Sequence, residues 1–204
     1  MNKYKPVSIT QNFYKLGTPA FPVYLSIGNE GMIIEGGISG IYPLVTEQIK
    51  ELGISPEKIK YLALTHTHAD HVGMVPYLKT LWPHLKIVGS QKAADSLKKE
   101  VTIKSVVFMN RTLTGIALRK GEITSEVPDP ASYEYSVDIV VGDNDKIDLG
   151  NGIVWTVIET PGHSPCHTSY YEDKDSVLTI GDATGFFNPR KDVFWPNYFE
   201  SLEK

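Results

Sequence analysis

The chain has little of several things, and each shortage removes a class of explanation. Of its 204 residues one is a cysteine, Cys166. That excludes internal disulfides and makes a reducing compartment, the cytoplasm, the natural expectation. No apolar stretch approaches the ~20 residues of a membrane span. The opening Met1-Asn2-Lys3-Tyr4-Lys5-Pro6 is polar rather than a signal core. Positive charge is scarce: Lys plus Arg number 20 against 24 Asp plus Glu, for a net charge of -4. The densest basic pair, Lys98-Lys99, is offset by Glu100. Nucleic acid phosphates need a basic surface, so nucleic acid is not an expected partner. With 41% hydrophobic residues at this length, a single domain over 1–204 is expected. A homo-oligomer stays open.

Histidine is not abundant either, but it is concentrated. His66-Thr67-His68-Ala69-Asp70-His71 follows the apolar run Tyr61-Leu62-Ala63-Leu64. Three imidazoles and a carboxylate alternate there with two small residues at the end of a predicted strand. Imidazole and carboxylate suit a borderline ion such as zinc, with iron or manganese as alternatives. Packing three histidines beside Asp70 without an ion would strand polar groups. Two more punctuation points follow the same logic. His163 lies in Thr160-Pro161-Gly162-His163 after the predicted strand 152–159, and Asp182 lies in Gly181-Asp182-Ala183 after the strand 176–180. Three strand ends thus present donors to one edge, as a site built from distant residues requires. His84 beside Pro83 reads as a surface residue. His167 reads as a hydrogen-bonded histidine rather than a ligand, and Cys166 as a small buried filler.

The rest of the pattern is strands followed by helices. Strands are expected over 7–16, 22–27, 31–35, 61–64 and 85–88, and helices over 39–52, from Asp70 and His71 to Trp82, and over 91–99. Residues 104–136, with Pro128, Asp129 and Pro130, read as a lid or insertion. Strands are then expected over 137–141, 146–149, 152–159, 168–171 and 176–180. The fold class this implies is α/β, with sheets covered by helices.

The succession His66-x-His68-x-Asp70-His71, Pro161-Gly162-His163 and Gly181-Asp182 resembles the metallo-β-lactamase superfamily of metal hydrolases, over roughly residues 23–182. The resemblance implies a four-layer αββα sandwich with up to two metal ions at one sheet edge. Carried over by position, His66, His68 and His163 would hold the first ion, Asp70 and His71 the second, and Asp182 would bridge them. Asp70 would also orient the attacking hydroxide. Asp145-Lys146-Ile147-Asp148-Leu149-Gly150 resembles the hairpin leading into the third motif. Glu35-Gly36-Gly37 stands where the family usually has Asp-x-Gly, and Glu35 is expected to serve the same hydrogen-bonding role. The family's usual last histidine has no counterpart, because none follows His167. The sandwich is therefore expected to be truncated in its C-terminal part, or completed by another subunit, or weak at its second site. Close to one metal per chain, with low activity, is the consequence.

The chemistry implied is hydrolysis by metal-bound hydroxide, since such an ion lowers the pKa of water from about 15.7 toward 7. Aspartate at 182 argues against the lactamase branch with cysteine there. The missing basic surface argues against the RNA-processing branch, and the His66-x-His68 pair against the diiron oxygen-reducing branch. The remaining thioester and lactone group includes glyoxalase II and the acyl-homoserine lactonases, which Thr160-Pro161-Gly162-His163-Ser164 resembles. An ester, thioester or lactone is thus the expected small-molecule substrate. Two alternatives stand beside it: a mononuclear iron persulfide dioxygenase using His66, His163 and Asp182, and a weakly active metal-binding fragment. Substrate-contacting residues are sought in Phe108, Arg111, Tyr133 and Tyr135 of the 104–136 segment, and in Phe186 and Phe187.

Overall fold

The structure, a computed structural model, describes residues 3–124, 127–130, 132–188 and 192–195. It opens with β1 (Val7–Ser8), β2 (Phe13–Gly17), β3 (Pro22–Ile27) and β4 (Gly31–Ile34), an antiparallel meander. The helix α1 (Tyr42–Glu51) then crosses to β5 (Ile59–Ala63), which pairs parallel to β4. Two short helices, α2 (Ala69–Val72) and α3 (Val75–Leu81), lead to β6 (Lys86–Ser90), and α4 (Gln91–Leu97) and α5 (Glu100–Arg119) lead to β7 (Ile139–Val141). The seven strands form one sheet in sequential order, with β5, β6 and β7 parallel. A second sheet is antiparallel, in the order β11 (Val177–Thr179), β10 (Thr168–Glu172), β9 (Val154–Glu159), β8 (Lys146–Asp148). Phe186–Asn188 and Val193–Trp195 form a separate antiparallel pair.

The period-two alternation of the central strands assigns their two faces. Ile33, Leu62 and Ile87 pack with the helices in one core. Their neighbours Ile34, Ala63 and Val88 pack in a second core against Trp155, Val157 and Tyr170 of the other sheet. A sheet buried on both faces reads as near-continuous apolar sequence, which is what Tyr61-Leu62-Ala63-Leu64 shows. Trp155 fills the space between the sheets and its indole N–H donates to Ser26 Oγ at 2.9 Å, so its one polar atom is satisfied.

Helix, sheet and sheet make three of the four layers that the resemblance implies. Among the described residues no helix follows β7, and Ile158 and Leu178 on the outer face of the second sheet are solvent-exposed.

One segment differs in kind from its sequence reading. The segment read as a lid or insertion over 104–136 begins inside a 20-residue helix, Glu100–Arg119, and the described residues from 120 to 136 form no helix or strand. Val106 and Ala117 of this helix are buried in the first core. Asn110 ties α5 to the loop after β4: its Oδ1 accepts the Ser39 N–H at 2.8 Å and its Nδ2 donates to Ser39 Oγ at 2.8 Å. The helix is rich in β-branched residues (Val101, Thr102, Ile103, Val106, Val107), which lowers helix propensity, so packing rather than local preference holds it.

Candidate metal centre

The parallel order of β4, β5 and β6 brings their C-terminal ends to one edge, where the loop after β5 carries His66, His68, Asp70 and His71, while His163 and Asp182 come from the loops after β9 and β11 of the second sheet. β5 ends at Ala63, and the loop 64–68, ending in the extended N-cap His68, leads into the single turn of α2 that carries Asp70 and His71. Thr168 and Tyr170 clamp this loop from the second sheet: the Tyr170 hydroxyl donates to Leu64 O at 2.6 Å and the Thr168 N–H to Thr65 O at 2.8 Å. Gly36 lets α2 come close. A Cβ there would lie 2.5 Å from His71 O, and the Gly36 N–H donates to that carbonyl at 2.7 Å.

Two overlapping donor groups result. One ligand atom from each of His66, His68 and His163 falls within 4.8 Å of the others, and the same holds for His66, His71 and Asp182. His66 Nε2 lies 3.0 Å from His68 Nδ1, which lies 2.9 Å from His163 Nε2. The Asp182 carboxylate is 3.3 Å from His163 Nε2 and 3.6 Å from His71 Nε2. Asp70 stands further out, with Oδ2 at 3.7 Å from His71 Nε2 and its side chain 42% exposed, facing a cleft.

The outer hydrogen bonds fix which nitrogen each ring turns inward. Glu35 accepts from His71 Nδ1 at 2.7 Å and from the Thr65 hydroxyl at 3.0 Å. With that hydroxyl proton committed, Thr65 Oγ1 accepts from His66 Nδ1 at 3.0 Å. Both rings are therefore left with Nε2 facing the cluster, as a lone pair on the neutral His66 and, at His71, as a nitrogen that must give up its proton to bind an ion. Glu35 holds this post in the left-handed region, at φ 79, a conformation that costs about 1–3 kcal/mol in a non-glycine residue and that is found where surroundings fix it. His167 is the third such support. Its Nδ1 donates to Thr160 Oγ1 at 2.8 Å, and its Nε2 accepts the Asp182 backbone N–H at 3.2 Å. Gly181, at φ 49, allows this approach, since a Cβ there would lie 2.7 Å from His167 Nε2.

Electrostatics favour neutral rings at the inner positions. Burial, followed by the neighbouring imidazoles His71 and His68, pushes His66 far below the usual histidine range. Burial and His163 lower His68, and burial and His163 lower His167 to about 4. At His71 burial also opposes the charged form, but the Glu35 carboxylate and Asp182 outweigh it and raise its pKa. Burial works to raise Asp182, and the bond to His71 more than offsets it, so its pKa is lowered. Neutral imidazole nitrogens converging beside an ionised carboxylate are the donor set of a divalent transition-metal ion. The residues present fit such an ion.

The structure brings together His66, His68, His71, His163 and Asp182, with Asp70 at the rim. It does not bring Phe108, Arg111 or Tyr133 to them. Phe108 and Arg111 lie on a different face of α5 from the one lining the cleft, and Arg111 and Tyr133 are both engaged by Asp129. Tyr135 packs against the first core. The side chains of Phe186 and Phe187 lie outside the described residues. The sequence reading missed Thr65 and Thr160, whose only signal is a hydroxyl residue next to or a few positions before a histidine. It also missed the α5 face at Val101, Ser105 and Met109, whose i, i+4 spacing is helical.

The chain matches the model of the metallo-beta-lactamase superfamily over residues 18–204. It belongs to that superfamily. Among solved structures it resembles the metallo-beta-lactamase GOB-18 from Elizabethkingia meningoseptica, at 27% identity and a TM-score of 0.64, covering 87% of this chain and 63% of that one. FEZ-1 from Legionella gormanii shares the fold at 22% identity and a TM-score of 0.66, covering 96% and 71%. Among curated proteins, Glyoxylase B2 of Dictyostelium discoideum is 31% identical over 135 residues, 66% of this chain and 38% of its own length. The uncharacterized protein YobT of Bacillus subtilis is 24% identical over 155 residues, 76% of this chain and 58% of its own. The chain thus spans less than two thirds of the length of either curated relative.

Proposed function

We propose that this chain carries the metal centre of a metal-dependent hydrolase acting on an ester, thioester or lactone, with zinc as the expected ion. The observation that supports it is the convergence of His66, His68, His71, His163 and Asp182 from three strand ends, within two donor groups no wider than 4.8 Å. A bound ion would lower the pKa of water toward neutrality and polarise a carbonyl oxygen. His66, His68 and His163 would hold it, with His71 and Asp182 facing a second position beside it. Thr65 and Glu35 hold the Nδ1 of His66 and His71, leaving Nε2 of each ring to face the ion. His167 holds Asp182 by its backbone N–H, leaving the carboxylate to face the histidines. Asp70, at the cleft rim, would accept a hydrogen bond from an attacking water and so orient it.

The reading is tested with thioester and lactone substrates on the zinc-loaded protein. Hydrolysis should vanish with a chelator and return with added zinc or manganese. Chelator-resistant hydrolysis contradicts it. Oxygen uptake with glutathione persulfide, without hydrolysis, would instead favour the mononuclear iron reading through His66, His163 and Asp182.

A further inference from the structure

A cleft of about 740 Å³ opens directly beside the donor cluster. His68, Asp70, His163 and Asp182 form one side of it, and α5 forms the facing wall. The wall is chemically uneven. Val101, Val106, Met109 and Leu113, spaced along one helix face, present aliphatic and thioether surface, with Pro165 opposite. Val101 is 72% and Met109 42% exposed, apolar surface left in water at the mouth of a polar site. Of the five hydroxyls lining it, three are engaged with one another: Thr67 Oγ1 bonds Ser96 Oγ, and Ser96 Oγ meets Thr102 Oγ1, both at 3.4 Å. No lysine or arginine is among the described residues lining the cleft. Of the cations of α5, Lys104 and Arg111 sit on a different face and are paired with Glu100 and Asp129 respectively, and Arg119, at the helix end, does not line the cleft.

We propose that this α5 face is the binding site for an uncharged, unbranched acyl chain, which it holds while the carbonyl carbon faces His68 and Asp70. The proposal rests on the hydrolase reading and narrows it from esters and thioesters in general to those with a medium-length apolar acyl part. The wall from Val106 to Leu113 runs two turns, roughly 10 Å at the rise of an α-helix, so it covers several methylenes in line. An anionic substrate would bring its charge against Val106 and Met109 with no described cation to receive it, and would lose its hydration without return. Phosphodiesters and anionic peptides are therefore poor fits.

The test reads binding as well as turnover. The uncharged ketone methyl nonyl ketone, which cannot be hydrolysed, is titrated into the metal-loaded chain while the Met109 methyl signal is followed by NMR. It should bind saturably, shift that signal, and bind on the order of 100-fold more tightly than methyl ethyl ketone, the return on about three to four buried methylenes. Met109→Lys and the more exposed Val101→Lys should each erase most of that gain. Phe108→Lys, exposed on a different face of α5 from Met109 and Leu113, should keep it. With p-nitrophenyl esters, the ratio of kcat/KM for octanoate over acetate should be similarly large and should collapse in M109K and V101K. No saturable ketone binding, or equal affinity in M109K and V101K, overturns the proposal, as does tighter binding of bis(p-nitrophenyl) phosphate. Ketone binding as described without hydrolysis of any ester upholds the α5 site and overturns the hydrolase reading instead.

Discussion

Glu35 and His71 are joined by a hydrogen bond of 2.7 Å, and the same carboxylate reaches His66 through the Thr65 hydroxyl. One buried side chain therefore sets the tautomer of a histidine in each donor group. Glu35→Gln should weaken zinc binding by about 10–100-fold, the usual return on an outer hydrogen-bond partner of a metal ligand. Glu35→Ala should weaken it at least as far, since it also strands Thr65. Competition against a chromogenic chelator measures both. Unchanged affinity in both variants would mean that the rings are held by something other than Glu35.

His167→Phe removes the acceptor of the Asp182 backbone N–H and leaves Thr160 without its partner ring. Loss of about 1–3 kcal/mol in unfolding free energy is expected in the metal-free chain. Metal affinity should fall too, because Asp182 loses its anchor. Denaturant melts with and without zinc separate the two effects. A loss of metal affinity as complete as in His163→Ala would show His167 to be a ligand itself.

The metal-free chain should be acid-sensitive. His66 and His68 are lowered, and His167 is lowered to about 4 from 6.5. Between those values the unfolded chain takes up protons that the native chain refuses, so stability is complete above about pH 6.5 and is lost as pH falls toward 4. His71 runs the other way: its raised pKa contributes stability that is full below 6.5 and lost above, so it does not cancel the acid loss. The Tm of the chelator-treated chain should drop by roughly 5–10 °C across that window. A flat or rising Tm on acidification would contradict the burial of neutral imidazoles.

The strands and the first helices were legible in the sequence because their periods are clean. Met32-Ile33-Ile34 and Tyr61-Leu62-Ala63-Leu64 alternate between two cores and so read as apolar runs, and Val45 and Ile49 carry the helical spacing of α1. The donors were legible because histidines are few and sit at strand ends. α5 was not: its β-branched residues argue locally against a helix, and only burial of Val106 and Ala117 with the Asn110–Ser39 bonds overrules that. The placement of Phe108 and Arg111 away from the cleft was hidden with it, since without the helix there was no way to know which face meets the cleft.

Alanine at any of His66, His68 or His163 should remove most of the bound metal. His84→Ala should retain it, for His84 Nε2 contacts the carbonyls of Pro56 and Ile59, at the start of β5, whereas the cluster follows that strand's end. Elemental analysis after dialysis reads this directly. Metal retained by His163→Ala and lost by His84→Ala would mean the site lies elsewhere.

The two donor groups share His66, whose Nδ1 is committed to Thr65 and which thus offers one nitrogen, Nε2. The central claim is that this nitrogen anchors a single tight metal site. Calorimetric titration of the chelator-stripped chain with zinc tests it most directly. The account predicts one tight ion per chain, with any second ion weaker by about 10- to 1000-fold, the scale on which a disturbed ligand shell lowers affinity, and the tight step abolished in His66→Ala. Two equally tight ions, or a tight step that survives His66→Ala, would contradict it.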